Sequence, residues 1–312
     1  MSIKNFKALT IKDSFMFFAV MSDPNQCRKL LEMVLEMEIL EVAVSGEHTL
    51  AYHPDYRGVR LDVLAKEKET LRRFNVEMQA QQKAGLERRS RYYHSQMDMD
   101  VLLSGESYET LPDTYVIFVC DFDPFGKKKY RYRFEMTCEE TEDKLKDGTY
   151  TIFLSTKGEN REEVSEELVR FLEYVGDPGS GACSGDTFVS SLESQIAAIK
   201  KDREWSGKYM LLEIMMAEER KAGMQEGREV GLQEGREAGL QEGREAGRLY
   251  QLVEMCCRKL ARGQSTEMIA DALEADVDEI RRIVQAAGCY APNYDAEKIC
   301  EELLEMQQKS ET

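Results

Sequence analysis

Residues 58–79 constrain this chain more than any other stretch. Two segments, Gly58-Val59-Arg60-Leu61-Asp62-Val63-Leu64-Ala65 and Phe74-Asn75-Val76-Glu77-Met78-Gln79, flank a charged turn. Both alternate apolar and polar residues with period two, the pattern of strands with one face against a core. Leu61, Val63 and Ala65 share one face of the first strand, and Val76 and Met78 one face of the second. If Ala65 pairs with Phe74 across the loop of residues 66–73, the antiparallel register sets Asp62 opposite Glu77. Facing like charges destabilise a ladder by roughly 0.2–1 kcal/mol, so a chain needing only a hairpin gains by replacing one of them. A divalent cation removes that cost: Mg²⁺ takes one or two carboxylates and completes its octahedron with water and phosphate oxygens. Gln79 shares the face of Glu77. The competing reading is a solvated outer face of an ordinary hairpin.

The rest of the first half adds ordered pieces. Thr10-Ile11-Lys12-Asp13 has capping-box form before a helix of Phe15, Phe17 and Phe18 that ends near Ser22. Asp23 caps a second helix with Pro24 at its first position. Leu40 to Val44 predicts a first strand, followed by a loop containing His53-Pro54-Asp55. Residues 79–103 predict a long polar helix on which Arg88, Arg91 and Tyr92 share one side and Arg89 and Tyr93 another. With Lys83, these arginines make the stretch around Glu87 locally cationic. The tyrosines are expected to pack inward. Tyr115 to Cys120 is a continuous apolar run, the mark of a central strand buried on both faces. After the Asp123-Pro124-Phe125-Gly126 turn, Lys127, Lys128, Lys129, Arg131 and Arg133 alternate with Tyr130, Tyr132 and Phe134, as an edge strand would. Such a face suits phosphate contact, and it equally suits protection against edge-to-edge aggregation. Tyr150 to Leu154 predicts one more strand and Glu162 to Tyr174 a helix.

An Asp in an apolar strand, a strand ending Glu77-Met78-Gln79, a helix with Arg88-Arg89-Ser90-Arg91-Tyr92-Tyr93, then Gly105-Glu106-Ser107-Tyr108 and Phe122-Asp123-Pro124-Phe125-Gly126, come in a characteristic order. In this the chain resembles the PD-(D/E)XK nuclease superfamily, and within it the recombination-promoting nuclease or transposase family. The resemblance implies an α/β fold, a restriction-endonuclease-like core of mixed sheet flanked by helices, and metal-dependent hydrolysis of DNA phosphodiesters. Asp62 and Glu77 would hold Mg²⁺ or Mn²⁺, and Gln79 would act beside them. An acidic residue on the first helix can complete such a site, and Asp13 stands at that position, where a helix cap is the competing role. Arg88, Arg89 and Arg91, with Lys128 and Arg131, are the candidate DNA-phosphate contacts. Gln79 departs from the superfamily's lysine: an amide orients water or contacts phosphate but carries no charge. The alternative function is a weakly active or inactive nuclease fold serving as a DNA-binding or assembly subunit.

Composition sets the context. The 312 residues carry 42 basic and 59 acidic side chains, a net charge of −17, so any DNA contact must be local. The eight cysteines form no Cys-x-x-Cys pair, adjacent Cys256 and Cys257 rarely bridge, and reduced thiols fit. The first residues lack an apolar export segment and no window approaches 18 apolar residues, so the expectation is a cytoplasmic protein without a membrane span.

The expected organisation is a nuclease-like domain over residues 1–175, a small-residue linker over 176–187, a helical segment over 188–222, a repeat over 223–248 and a small helical module over 249–312. The repeat has period eight (Gln225-Glu226-Gly227-Arg228-Glu229-Val230-Gly231-Leu232 and two further copies) with glycine at every fourth residue from Gly223 to Gly247. Seven glycines cost a helix about 0.8–1 kcal/mol each relative to alanine, while Gln, Glu, Arg and Leu favour it. Two readings fit: a helix packed against another helix, which would make the chain a homo-oligomer through this tail, or a mobile tether. Two short capped helices beyond Gly263 have helix-turn-helix form, but the second opens with Asp276, Asp278 and Glu279, which phosphates repel. A structural or oligomerising module is the better reading.

Overall fold

The computed structural model describes residues 5–45, 48–50, 59–181 and 185–310, with the side chains of 48–50, 59–61 and 307–310 left aside. The expected loop at His53-Pro54-Asp55 and the Gly58 start of the first strand lie outside these. Two compact units divide the chain, Met1–Met215 and Met216–Thr312.

In the first unit, α1 (Ser14–Met21) and α2 (Pro24–Leu35) precede the sheet. Asp23 caps α2 by accepting from the backbone N–H of Asn25 and Gln26, as expected. Strands β1 (Val42–Ser45), β2 (His48–Leu50), β3 (Val59–Leu61), β4 (Val63–Glu67) and β5 (Arg73–Gln79) follow, then α3 (Leu86–Met99). Next come β6 (Thr114–Cys120), β7 (Arg131–Phe134), β8 (Thr149–Ser155), α4 (Glu166–Gly176) and α5 (Thr187–Ile199). Six strands form one mixed sheet in the order β1-β4-β5-β6-β8-β7, while β2 and β3 pair separately. The apolar run 115–120 is central: β6 is buried throughout and runs parallel to both β5 and β8. The edge position of the basic and aromatic segment also holds, since β7 pairs only with β8.

Period-two alternation sorts the sheet into two layers. Val63, Ala65, Val76, Met78, Ile117, Val119, Ile152 and Leu154 point into the larger core, which α1, α2, α4 and α5 cover. Leu64, Val116, Phe118, Cys120 and Phe153 point the other way, against Leu86, Tyr93 and Met97 of α3. Each Val, Leu, Ile, Phe and Met among them contributes about 1.5–3 kcal/mol on full burial. Two further ties seat α3. Arg73 at the start of β5 pairs with Asp100 at 2.5 Å. His94 lies between the hydroxyls of Thr114 (2.8 Å) and Thr151 (3.0 Å).

Three expectations need correction. The first strand of the hairpin is not continuous but breaks at Asp62, between β3 and β4. The helix expected over 79–103 is shorter. Gln79 ends β5, and Gly85, in the left-handed region at φ 83°, leads into α3, so residues 80–85 form a loop. The Thr10–Asp13 pair does not cap as a capping box: Asp13 itself precedes α1, and its carboxylate accepts from the Thr10 N–H at 2.7 Å and the Thr10 hydroxyl at 3.2 Å. Beyond the loop at 176–181, Val189, Leu192, Ile196, Ile199 and Tyr209 join the same core as the sheet, and Trp205 packs edge-on to Phe15 and Phe18.

Helix α6 (Arg203–Leu260) contains the glycine repeat. Its three repeats each place a Gln to donate to the Glu four residues on, at 3.1, 3.0 and 3.1 Å (Gln225–Glu229, Gln233–Glu237, Gln241–Glu245). In the second unit, α7 (Thr266–Leu273), capped by Ser265, α8 (Val277–Gly288), capped by Asp276, and α9 (Ala296–Ser310) enclose a core of Val253, Cys256, Ile269, Ile280, Ile283 and Ile299. The cysteines among the described residues are free thiols, including Cys256 and Cys257. No described helix is long and apolar enough to cross a membrane.

Burial holds the His94 imidazole neutral by moving its pKa from 6.5 to about 4. The unfolded chain therefore binds this proton first on acidification, and stability drops between pH 6.5 and about 4 by on the order of 1–3 kcal/mol. Urea midpoints measured across this range should show the drop, and His94→Gln should lose this component. A Cβ added at Gly235 meets open space. Gly235→Ala should therefore stabilise the helix by about 0.8–1 kcal/mol, read as increased ellipticity at 222 nm on warming.

Candidate active site

The register places the two carboxylates together. Val63 pairs with Val76 and Ala65 with Phe74, so the next step along the ladder brings Asp62 to Glu77. Each then reaches the other's strand. The Asp62 N–H donates to Glu77 Oε1 at 3.1 Å, and the Met78 N–H donates to Asp62 Oδ2 at 3.2 Å. The break between β3 and β4 at Asp62 frees its backbone from the regular ladder for this exchange.

The solvated outer face is not what forms. Along β5 the alternation sends Asn75, Glu77 and Gln79 to the α3 side, where they are 0%, 3% and 8% exposed. Burial first, and the neighbouring Asp62 charge second, push the Glu77 carboxyl from 4.5 up to about 8. The Asp62 N–H and the Arg89 guanidinium oppose that shift only in part. Tyr93 lies beside Glu77, and its own pKa is raised by burial and by the adjacent Glu77 carboxylate. The tyrosine expected only to pack therefore packs and also lines the cleft beside a carboxylate.

A cleft of about 340 Å³ opens over this pair, lined by Asp62, Glu77, Gln79, Ser14, Lys83, Arg89 and Tyr93 among others. Arg89 lies over the rings of Tyr93 (5.5 Å) and Phe118 (5.3 Å), and its Nε and Nη2 are buried without a hydrogen-bond partner. Arg88 and Arg91 are exposed on the outer side of α3. The other expected site residues lie elsewhere. Asp13 does not line the cleft; Ser14 beside it does. Lys128 pairs with Glu159 at 2.8 Å. Arg131 sits opposite Leu154, on the sheet face turned away from Glu77, where it pairs with Glu36 at 2.9 Å and donates to the Val34 carbonyl at 3.0 Å. An exposed basic strand reads the same from sequence whether its cations are open or already paired.

Sequence reasoning missed Ser14, Lys83 and Tyr93 as lining residues. For Tyr93 a signal existed, the spacing of four from Arg89 on the inward side of α3. For Lys83 the signal was its share in the cationic segment, but its place over the cleft was hidden because the loop 80–85 read as helix. No cluster of three or more His, Cys, Asp or Glu side chains occurs among the described residues. The donor set is two carboxylates, which suits a hard, largely hydrated ion such as Mg²⁺ and not a structural zinc.

In chelator-treated protein the raised Glu77 carboxyl means that the folded chain keeps a proton which the unfolded chain releases near 4.5. Stability therefore falls as pH rises from about 4.5 to about 8, by on the order of 1–3 kcal/mol. Glu77→Gln should remove that slope, giving a higher unfolding midpoint than wild type at pH 8 and a near-equal one at pH 5.

Compared with known proteins, residues 18–176 match the family model described as PD-(D/E)XK nuclease family transposase. The matched span contains Asp62, Glu77, Gln79 and all of α3, and leaves out Asp13. No curated protein and no solved structure gives a significant match. With half of its length matched, and with the mixed sheet and acidic pair in place, the chain belongs to the PD-(D/E)XK nuclease family transposases.

Proposed function

We propose that the protein is a divalent-metal-dependent DNA endonuclease in which Asp62 and Glu77 hold Mg²⁺ or Mn²⁺. The observation that carries this reading is the braced pair: two carboxylates, one almost wholly buried, are fixed side by side at the floor of an open cleft. Burying like charges together is unfavourable unless a proton or a cation offsets them. When bound, the ion polarises a phosphoryl oxygen and lowers the pKa of a bound water.

The chain's own residues do the rest. Asp62 is oriented by the Met78 N–H, and Glu77 by the Asp62 N–H. Gln79, at the end of β5 in the same cleft, offers an amide to orient water or a phosphate oxygen. Arg89, stacked over Tyr93 and Phe118, adds positive charge beside the pair that favours an anionic phosphate in the cleft. Arg88 and Arg91, one turn apart on the exposed side of α3, extend the cation supply to flanking phosphates. Lys128 and Arg131, with carboxylates already at hand, are left out of this DNA surface.

The test is nicking of supercoiled plasmid by the purified chain with Mg²⁺ or Mn²⁺. Asp62→Asn and Glu77→Gln keep size and remove charge, and each should lower the rate roughly a thousandfold. Cutting that survives either change would point to the alternative, a nuclease fold that serves as a DNA-binding or assembly subunit.

A further inference from the structure

We infer that Lys83, in the loop between β5 and α3, is the catalytic cation of this cleft and contacts the phosphate at which the chain is cut. The inference rests on the nuclease reading above and adds a residue to it. It starts from the charges that line the cleft: two carboxylates, Asp62 and Glu77, and two cations, Lys83 and Arg89. Arg89 is pinned over two aromatic rings and sits close enough to offset part of the Glu77 charge. Gln79 is an amide. That leaves Lys83 as the one unstacked positive charge among the described residues lining the cleft.

Some lysines of the same unit are held by carboxylates, such as Lys12 by Asp121 at 2.7 Å, Lys128 by Glu159 at 2.8 Å and Lys129 by Glu163 at 2.5 Å, and others are not; what distinguishes Lys83 is its place in the lining of the cleft. Among the described residues no carboxylate pairs with Lys83, in a chain where 59 acidic residues outnumber 42 basic ones. A compact ammonium on a flexible stem can follow a phosphate in a way that the stacked guanidinium of Arg89 cannot. The position has a structural cause. Because β5 ends at Gln79 and Gly85 turns the chain into α3, residues 80–85 pass over the cleft and do not continue a helix away from it.

In the step proposed, a water oxygen forms a bond to phosphorus while one ester P–O bond breaks. The water's proton passes to solvent and the departing ester oxygen takes a proton from solvent, so no oxidant or co-reactant is needed. Lys83 stays protonated throughout, and its ammonium donates to a non-bridging phosphoryl oxygen as negative charge builds there.

The experiment compares wild type, Lys83→Met and the double variant Lys83→Met with Gln79→Lys, all as the full chain. Three measurements are made: single-turnover nicking of plasmid with Mn²⁺, anisotropy of a labelled DNA duplex with Ca²⁺, and thermal melting. Lys83 is exposed, so Lys83→Met should melt as wild type does; the melt of the double variant, which puts a lysine at the buried position 79, shows that its rate is read on folded protein. Lys83→Met should cut about a hundredfold to a thousandfold more slowly, the cost typical of losing one donor to a developing charge. Duplex affinity should change less than about threefold, the share of a single phosphate contact. Lysine at position 79 should restore at least a tenth of the wild-type rate. A Lys83→Met rate within threefold of wild type overturns the inference, and so does a loss of cutting matched by an equal loss of affinity. Wild type that never cuts overturns the nuclease reading and this inference with it, whereas a cutting wild type with an indifferent Lys83 removes only the latter.

Discussion

The reciprocal bracing of Asp62 and Glu77 is the constraint on which the rest of the first unit depends. Each carboxylate accepts a backbone N–H from the other's strand, so neither can turn away without leaving a donor unsatisfied. This arrangement stands under α3, not at a solvated surface, and the removal of water drives the Glu77 carboxyl to hold its proton. A hairpin built only for stability would not choose this. The local cost persists because the surrounding sheet is strongly determined: β6 is buried along its whole length, and the apolar layers on both sides of it fix β5 in place.

Helix α3 turns that strained pair into a site. Its inward side supplies apolar bulk through Leu86 and Met97, an aromatic wall beside Glu77 through Tyr93, and a stacked guanidinium through Arg89. Its two ends are anchored differently. Gly85 allows the abrupt entry from the cleft loop, and Arg73 bonds Asp100 at the far end. His94 adds a neutral polar link to two strands. Structure and function thus use the same helix, one turn apart, which is why packing and chemistry cannot be assigned to separate residues here. Tyr93 is the plainest case.

The sequence-level account succeeded where period and register were enough. Apolar alternation placed Val63, Ala65, Val76 and Met78 on one face, and counting from Ala65 and Phe74 brought Asp62 to Glu77. It failed where a single backbone angle or a distant partner decides. The left-handed Gly85 shortened a helix and created the loop that carries Lys83. Ion pairs with residues far along the chain, Glu36 and Glu159, absorbed Arg131 and Lys128. Asp13 reaches back to Thr10 by a local hydrogen bond that competes with any outward role.

By itself, then, the sequence determined the family, through its ordered motifs, and the order of core strands and which two carboxylates meet, because these last follow from hydrophobic period and antiparallel counting. Only the tertiary structure decided that the pair is buried, that Tyr93 and Arg89 close around it, that Lys83 shares the cleft while Arg131 faces away, and that α5 and Tyr209 belong to the core of the sheet. The physical reason is that desolvation and ion pairing depend on what the rest of the fold brings within a few ångströms, and neither leaves a local periodic trace.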